Sequence, residues 1–143
     1  GEFGEDIDSA DVVLRINQAP GGDIAAKHSG SKTTFRIVNQ QWTSAYRHDV
    51  KGNLVMEKDV GLILSRTGWE DYIKSTHTLT SRRQDVQIRL LSRDAIDAAG
   101  TVLRQIKTRL EELHGMEYMG KGSPSSGFVA TWMMIQMCQK VDV

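Results

Sequence analysis

The strongest constraint on this chain is the alternation of short β-type runs with longer segments, the last of which carries a clear helical period. Asp11–Asn17 alternates strictly, with Val12, Leu14 and Ile16 on one face and Val13, Arg15 and Asn17 on the other. Ala19-Pro20-Gly21-Gly22 ends that run in a loop. A stretch rich in glycine, serine and lysine then leads to Thr33–Asn39, whose β-branched and aromatic residues suit a second strand. Gly61–Ser65 is a short apolar run of the kind found in strands covered on both faces. Gly68–Lys74 is placed to start a helix, and Val86–Leu91 reads as another strand. From Ser92 the period changes: Ile96, Ala99, Val102, Leu103, Ile106, Leu110 and Leu113 recur at steps of three and four, with Gly115 as a C-terminal stop. Phe128–Cys138 is apolar almost all round, so a helix there has to be buried. Lys140–Val143 reads as the opening of one more strand. The pattern specifies a Rossmann-like layered α/β domain with a largely parallel sheet, one domain over residues 1–143. Both ends cut through elements of it, so truncation on both sides is expected.

Composition narrows the function classes. Of the 143 residues, 39% are hydrophobic and 25% charged, as in ordinary soluble domains. Eighteen basic residues balance eighteen acidic ones, which argues against a sequence-blind nucleic-acid binder. No apolar run approaches the roughly 18 residues of a membrane span, and the start carries no signal-peptide pattern. The first residue is Gly1, so the natural N-terminus is expected upstream, and these residues alone assign no compartment. Cys138 is the single cysteine, which excludes a cysteine-built metal site; His28, His48, His77 and His114 show no metal-ligand spacing.

Two places suit a ligand. Open α/β sheets bind at the carboxyl ends of their strands, and Asn17 stands near the end of the first run. Its amide is able to donate to a phosphate or ribose oxygen, or it caps the turn with its own bonds. Pro124-Ser125-Ser126-Gly127 precedes the apolar segment. A serine there caps a helix, and the free N–H groups beyond it form an anion site; plain capping explains the same residues. No Gly-x-Gly-x-x-Gly fingerprint, Walker loop or Gly-x-Ser-x-Gly elbow is present. Met133, Met134 and Met137 beside Trp132 read as core filling, Arg82-Arg83 as a solvated pair, and Glu111-Glu112 as water-facing.

Taken together, the two loops resemble a known family. Ile7, Asp8, Asp11, Val13, Arg15, Asn17, Ala19 and Pro20 fit the pattern Ile-Asp-x-x-Asp-x-Val-x-Arg-x-Asn-x-Ala-Pro, the second half of the large sialylmotif of the sialyltransferases (glycosyltransferase family 29). Gly30–Arg36 resembles its continuation. Gly122 to Gly127, with Cys138, Val141 and Asp142, resembles the small sialylmotif. The matched stretches cover about the first quarter and last sixth of the chain. His28-Ser29 departs from the usual acidic residue and valine, and Ser123 stands where an aromatic usually precedes the proline.

The resemblance implies a GT-A-like variant of the Rossmann-like fold, with residues 1–143 as the donor-nucleotide part of a catalytic domain. It implies a Golgi type II membrane enzyme, lumenal and anchored upstream of these residues. The enzyme would transfer sialic acid from CMP-sialic acid to a hydroxyl of a glycoprotein or glycolipid, with inversion and without metal or cofactor. Asn17 would meet the nucleotide's phosphate or ribose. Ser125, Ser126 and Gly127 would hold donor groups around the cytidine and sialyl parts. Cys138 would pair with a cysteine upstream of Gly1. The family's general base, a histidine, would lie beyond Val143, so no catalytic residue is assigned here. The alternative is a non-catalytic relative that binds a nucleotide or a protein partner.

Overall fold

Four of the five β-type runs pair, and all four pair in parallel. The computed structural model describes residues 1–48, 58–120 and 122–143, which form two compact units, Gly1–Leu90 and Leu91–Val143. The first unit runs α1 (Gly4–Ser9), β1 (Leu14–Ile16), a 3-10 turn (Asp23–Ala25) leading into α2 (Ala26–Ser29), β2 (Phe35–Val38), α3 (Gln40–His48), β3 (Gly61–Leu64), α4 (Trp69–Thr80) and β4 (Gln87–Leu90). Strand order is β1-β2-β3-β4. Parallel neighbours in sequential order take right-handed crossovers in one direction, which sends successive helices to the same face of the sheet.

Register shows which face that is. Arg15, Arg36, Leu62 and Ile88 form one row across the sheet. Val38, Leu62, Leu64 and Ile88 from that face pack with Tyr46 of α3 and Leu79 of α4 into the core, with Trp42, Tyr72 and Leu90 at its margin. The face of β1 that is buried carries Val13 and Arg15, whereas Leu14 and Ile16 on the more apolar face are only half-buried. Alternation separates two faces but does not say which is covered. Here hydrogen bonding makes burial of the arginine-bearing face tolerable.

Helices α1 and α3 have no counterpart in the sequence reading. Helix α3 starts behind Asn39, whose Oδ1 accepts from Trp42 N–H at 3.0 Å. Arg47 Nη1 reaches Asp71 Oδ1 of α4 at 2.7 Å, and this bond first, then the Arg47 charge, holds the Asp71 carboxyl below its usual range. Arg83 differs from the solvated pair expected: its Nε and Nη2 donate to Asp85 at 2.8 and 2.7 Å, while Arg82 is exposed.

The second unit holds α5 (Arg93–His114) and α6 (Ser126–Met137). Both ends of α5 follow the sequence. Ser92 Oγ accepts from Ala95 N–H at 3.2 Å, and Gly115 closes the helix at φ 65°, the left-handed stop glycine favours. The apolar stripe, however, is not uniformly covered. Ile96, Ala99 and Gly100 are buried, whereas Ile106 and Leu113 are 44% and 61% exposed. Periodicity reports an apolar face without saying how far along the axis a partner reaches. Helix α6 likewise departs from all-round burial: Val129, Ala130 and Met134 are buried, but Ile135 and Met137 are exposed. Composition without a polar face shows a demand for cover, which the structure meets on one side only. Lys140–Val143 forms no strand, because a strand exists only as a pairing and none beyond β4 occurs among the described residues.

This uneven burial predicts unequal costs along one stripe. Ile96→Ala is expected to lower stability by about 2–5 kcal/mol, and Ile106→Ala by less than about 1 kcal/mol. Urea melts of the two variants check this; equal losses would show that α5 is covered along its whole length.

Candidate functional site

Each of the first three strands ends on a polar residue. Asn17 follows β1, Asn39 follows β2 and Ser65 follows β3, at the carboxyl edge where parallel sheets receive ligands. Asn17 adopts φ 51°, a left-handed conformation that asparagine tolerates better than most residues. Its N–H donates to Ile37 O at 2.8 Å, continuing the β1–β2 ladder by one step. Its main-chain carbonyl accepts from Arg36 Nη1 at 2.6 Å, and its Oδ1 accepts from Asn39 N–H at 3.1 Å.

The last bond decides what Asn17 offers. A main-chain N–H needs an acceptor, so the side-chain oxygen faces Asn39 and the Nδ2 group points away from it. Among the described residues that Nδ2 has no partner, and Asn17 is half-buried rather than solvated. The oxygen thus bonds Asn39, beyond the next strand, rather than capping Asn17's own turn, and the two Nδ2 N–H donors are without a partner among the described residues. The neighbouring Gln18 differs, since its Nε2 is used internally by Tyr46 Oη at 3.0 Å.

The loop from β1 to β2 is built from the motif residues. Arg15, 7% exposed, donates to the carbonyls of Pro20, Ser29, Gly30 and Lys32 at 2.7, 2.9, 3.0 and 2.8 Å, and to Thr33 Oγ1 at 2.9 Å. Asp8 of α1 accepts from Ser31 N–H and Lys32 N–H at 2.8 and 2.9 Å, and from Ser31 Oγ at 2.9 Å. The Ser31 and Lys32 amides hold the Asp8 carboxyl below its ordinary range, helped by the Ser31 hydroxyl and the Arg15 charge. Gly30 sits at φ 75°, and a Cβ there would lie 2.2 Å from Asp8 Oδ1, so both backbone and space call for glycine.

Ser125 caps α6 in the second unit. Its Oγ accepts from Phe128 N–H at 3.1 Å, which satisfies one orphan donor of the first turn. The hydroxyl proton of the exposed Ser125 is left able to donate, and Ser126 and Gly127 are half-buried at the helix start. Asn17 belongs to the first unit and Ser125–Gly127 to the second. Cys138, just past α6, is half-buried and has no disulfide partner among the described residues. Asn39 and Ser65 escaped the sequence reading; their only signal is a polar residue one step beyond a strand, visible once strand ends are known. No helix is long and apolar enough to cross a membrane among the described residues.

The family model for glycosyltransferase family 29 (sialyltransferase) matches residues 1–143. The beta-galactoside alpha-2,6-sialyltransferase 2 proteins of rat and human are each 30% identical over 152 residues, covering 99% of this chain and 27% of their own length. Sialyltransferase-like protein 1 of Arabidopsis thaliana is 54% identical over 37 residues, covering 26% of this chain and 8% of its own. The chain thus spans about a quarter of the length of the rat and human relatives.

Asp8 gives this loop an acid-sensitive fastening. A carboxyl whose folded pKa is depressed contributes stability above its unfolded value, near 3.8, and loses it as pH falls through the lower folded value. Melting temperature is expected to fall more steeply below pH 4 in the unaltered chain than in Asp8→Asn, where that proton uptake is gone. Parallel acid limbs in the two proteins would show that Asp8 fastens nothing.

Proposed function

The chain belongs to glycosyltransferase family 29, the sialyltransferases, and from that premise we propose that it carries donor-nucleotide contacts of an enzyme moving sialic acid from CMP-sialic acid to a glycan hydroxyl. The observation that carries this reading is Asn17, with its oxygen bonded to Asn39 N–H and its Nδ2 without a partner among the described residues. When the glycosidic bond to the donor breaks, negative charge gathers on the departing phosphate. Donors already oriented toward that position strengthen their bonds as the charge grows and need no reorganisation. Asn17 supplies such a donor to the phosphate or ribose. Ser125, Ser126 and Gly127 supply hydroxyl and first-turn N–H donors around the cytidine and sialyl parts, with the helix dipole in the favourable sense for an anion.

The remainder of the reading extends the family resemblance. Transfer proceeds with inversion and without a metal, and a histidine outside residues 1–143 takes the acceptor proton. The names of the rat and human relatives suggest a β-galactoside acceptor, on a glycoprotein or glycolipid in the Golgi lumen, with the anchor outside these residues. Cys138 pairs with a cysteine of the first half of the large motif.

Asn17→Asp isolates the donor. The aspartate keeps an oxygen for Asn39 N–H and tolerates the left-handed turn, but replaces the N–H donors with a charge that repels phosphate. Titration of the 143-residue chain with CMP and with AMP is expected to favour CMP. Asn17→Asp is expected to lower CMP affinity by at least about tenfold, consistent with about 1.5–3 kcal/mol for a hydrogen bond to a charged group, at unchanged melting temperature. CMP affinity that survives Asn17→Asp removes Asn17 from the site, and equal affinity for AMP removes the cytidine nucleotide.

A further inference from the structure

We propose that Arg36 is a positioning residue for nucleotide capture, because its guanidinium holds the left-handed turn that orients the Asn17 amide at the carboxyl edge of the sheet. Arg36 lies in the middle of β2 and is 2% exposed. Its Nη1 donates to Asn17 O at 2.6 Å and to Ala19 O at 3.0 Å. Ala19 N–H in turn donates to Ile16 O at 2.9 Å. The first step off β1 is thus tied at both ends, to the strand it leaves and to a side chain of the next strand.

Sheet packing alone does not ask for an arginine here. In the same row, β3 and β4 place Leu62 and Ile88, and an aliphatic residue at 36 would extend their apolar surface. Burying a guanidinium costs heavily unless its donors are taken up, and the Asn17 and Ala19 carbonyls are among the groups that take up those of Arg36. Arg15 is its register partner, and the two divide the loop between them. Arg36 takes the carbonyls of Asn17 and Ala19, and Arg15 those of Pro20, Ser29, Gly30 and Lys32. Only the Arg36 share bears on the direction of the Asn17 side chain. Without it, the Asn17 carbonyl loses its charged partner and the left-handed residue has less reason to stay in a sparsely populated conformation. Relaxation toward ordinary φ swings the side chain away from Asn39 N–H, and the bond that sets the orientation of Nδ2 is lost. A lysine keeps the charge but presents a point donor instead of a planar fork, so it is not expected to hold both carbonyls.

The inference rests on Asn17 being the nucleotide donor, so its test separates the two claims. The first measurement needs no nucleotide. In Arg36→Lys, the Asn17 Nδ2 proton resonances are expected to move and the Asn17 main-chain N–H to exchange faster than in the unaltered chain. Unchanged Asn17 signals in a folded Arg36→Lys overturn the proposal. The second measurement is a double-mutant cycle read by CMP titration. Arg36→Lys is expected to weaken CMP about fivefold and Asn17→Ala about tenfold, with the double variant no weaker than Asn17→Ala. Losses that multiply mean Arg36 acts independently of Asn17, and the proposal falls. If the unaltered chain does not bind CMP, the nucleotide reading fails and the Asn17 resonances alone decide the role of Arg36. If Arg36→Lys does not fold, the unaltered chain decides: slowly exchanging Arg36 Nη protons with cross-peaks to Asn17 and Ala19 uphold the contact, and freely exchanging ones overturn it.

Discussion

A single buried guanidinium organises the segment between the first two strands. Arg15 donates to four main-chain carbonyls and a threonine hydroxyl spread from Pro20 to Thr33. Those carbonyls turn inward because no ladder is available to them, and each would carry a desolvation cost if left without a donor. Arginine fills this role where lysine does not, since its five N–H groups lie in one rigid plane and stay charged at any physiological pH. Asp8 completes the arrangement from the other side of the loop by accepting from the Ser31 and Lys32 amides. The glycine-rich stretch is therefore a shaped element, and the Asn17 turn is its first corner.

That explains how much of the molecule was legible in its sequence. The four strands and α5 were readable because period and composition agree over their length, and the caps of α5 are chemically explicit in Ser92 and Gly115. Helix α3 was not, since Gln40–His48 mixes Trp42, Ala45 and Tyr46 among polar residues, and its start depends on the Asn39 side chain. Helix α1 was not legible either, because Gly4–Ser9 holds a single large apolar residue, Ile7, and so shows no helical period. The buried side of β1 was also beyond reach: alternation gives two faces, and the one with the arginine went inward only because loop carbonyls meet it there.

The candidate site shows the same division. Asn17 was legible as a residue near the end of a strand, and the family resemblance gave it a role. Its bonding was not legible, because it depends on Asn39, which comes next to Asn17 only through the pairing of Ile16 with Ile37. Register is a property of two strands and cannot be read from either. Ser125 was the easier case, since an N-cap is local and its bond to Phe128 N–H lies within three residues.

The disposition of charge around Asn17 bears on how such a site would work. Arg15 and Arg36 turn donors to protein carbonyls, and what Asn17 itself offers a leaving phosphate is a neutral amide. A fixed cation and an oriented dipole both gain as negative charge gathers on the phosphate, since each interaction is proportional to that charge. A neutral amide already held in place offers that gain without reorganising as the bond cleaves. On the proposed reading, the buried arginines act at one remove. Their charge stabilises the loop, the loop fixes the amide, and it is the amide, not the arginines, that meets the nucleotide.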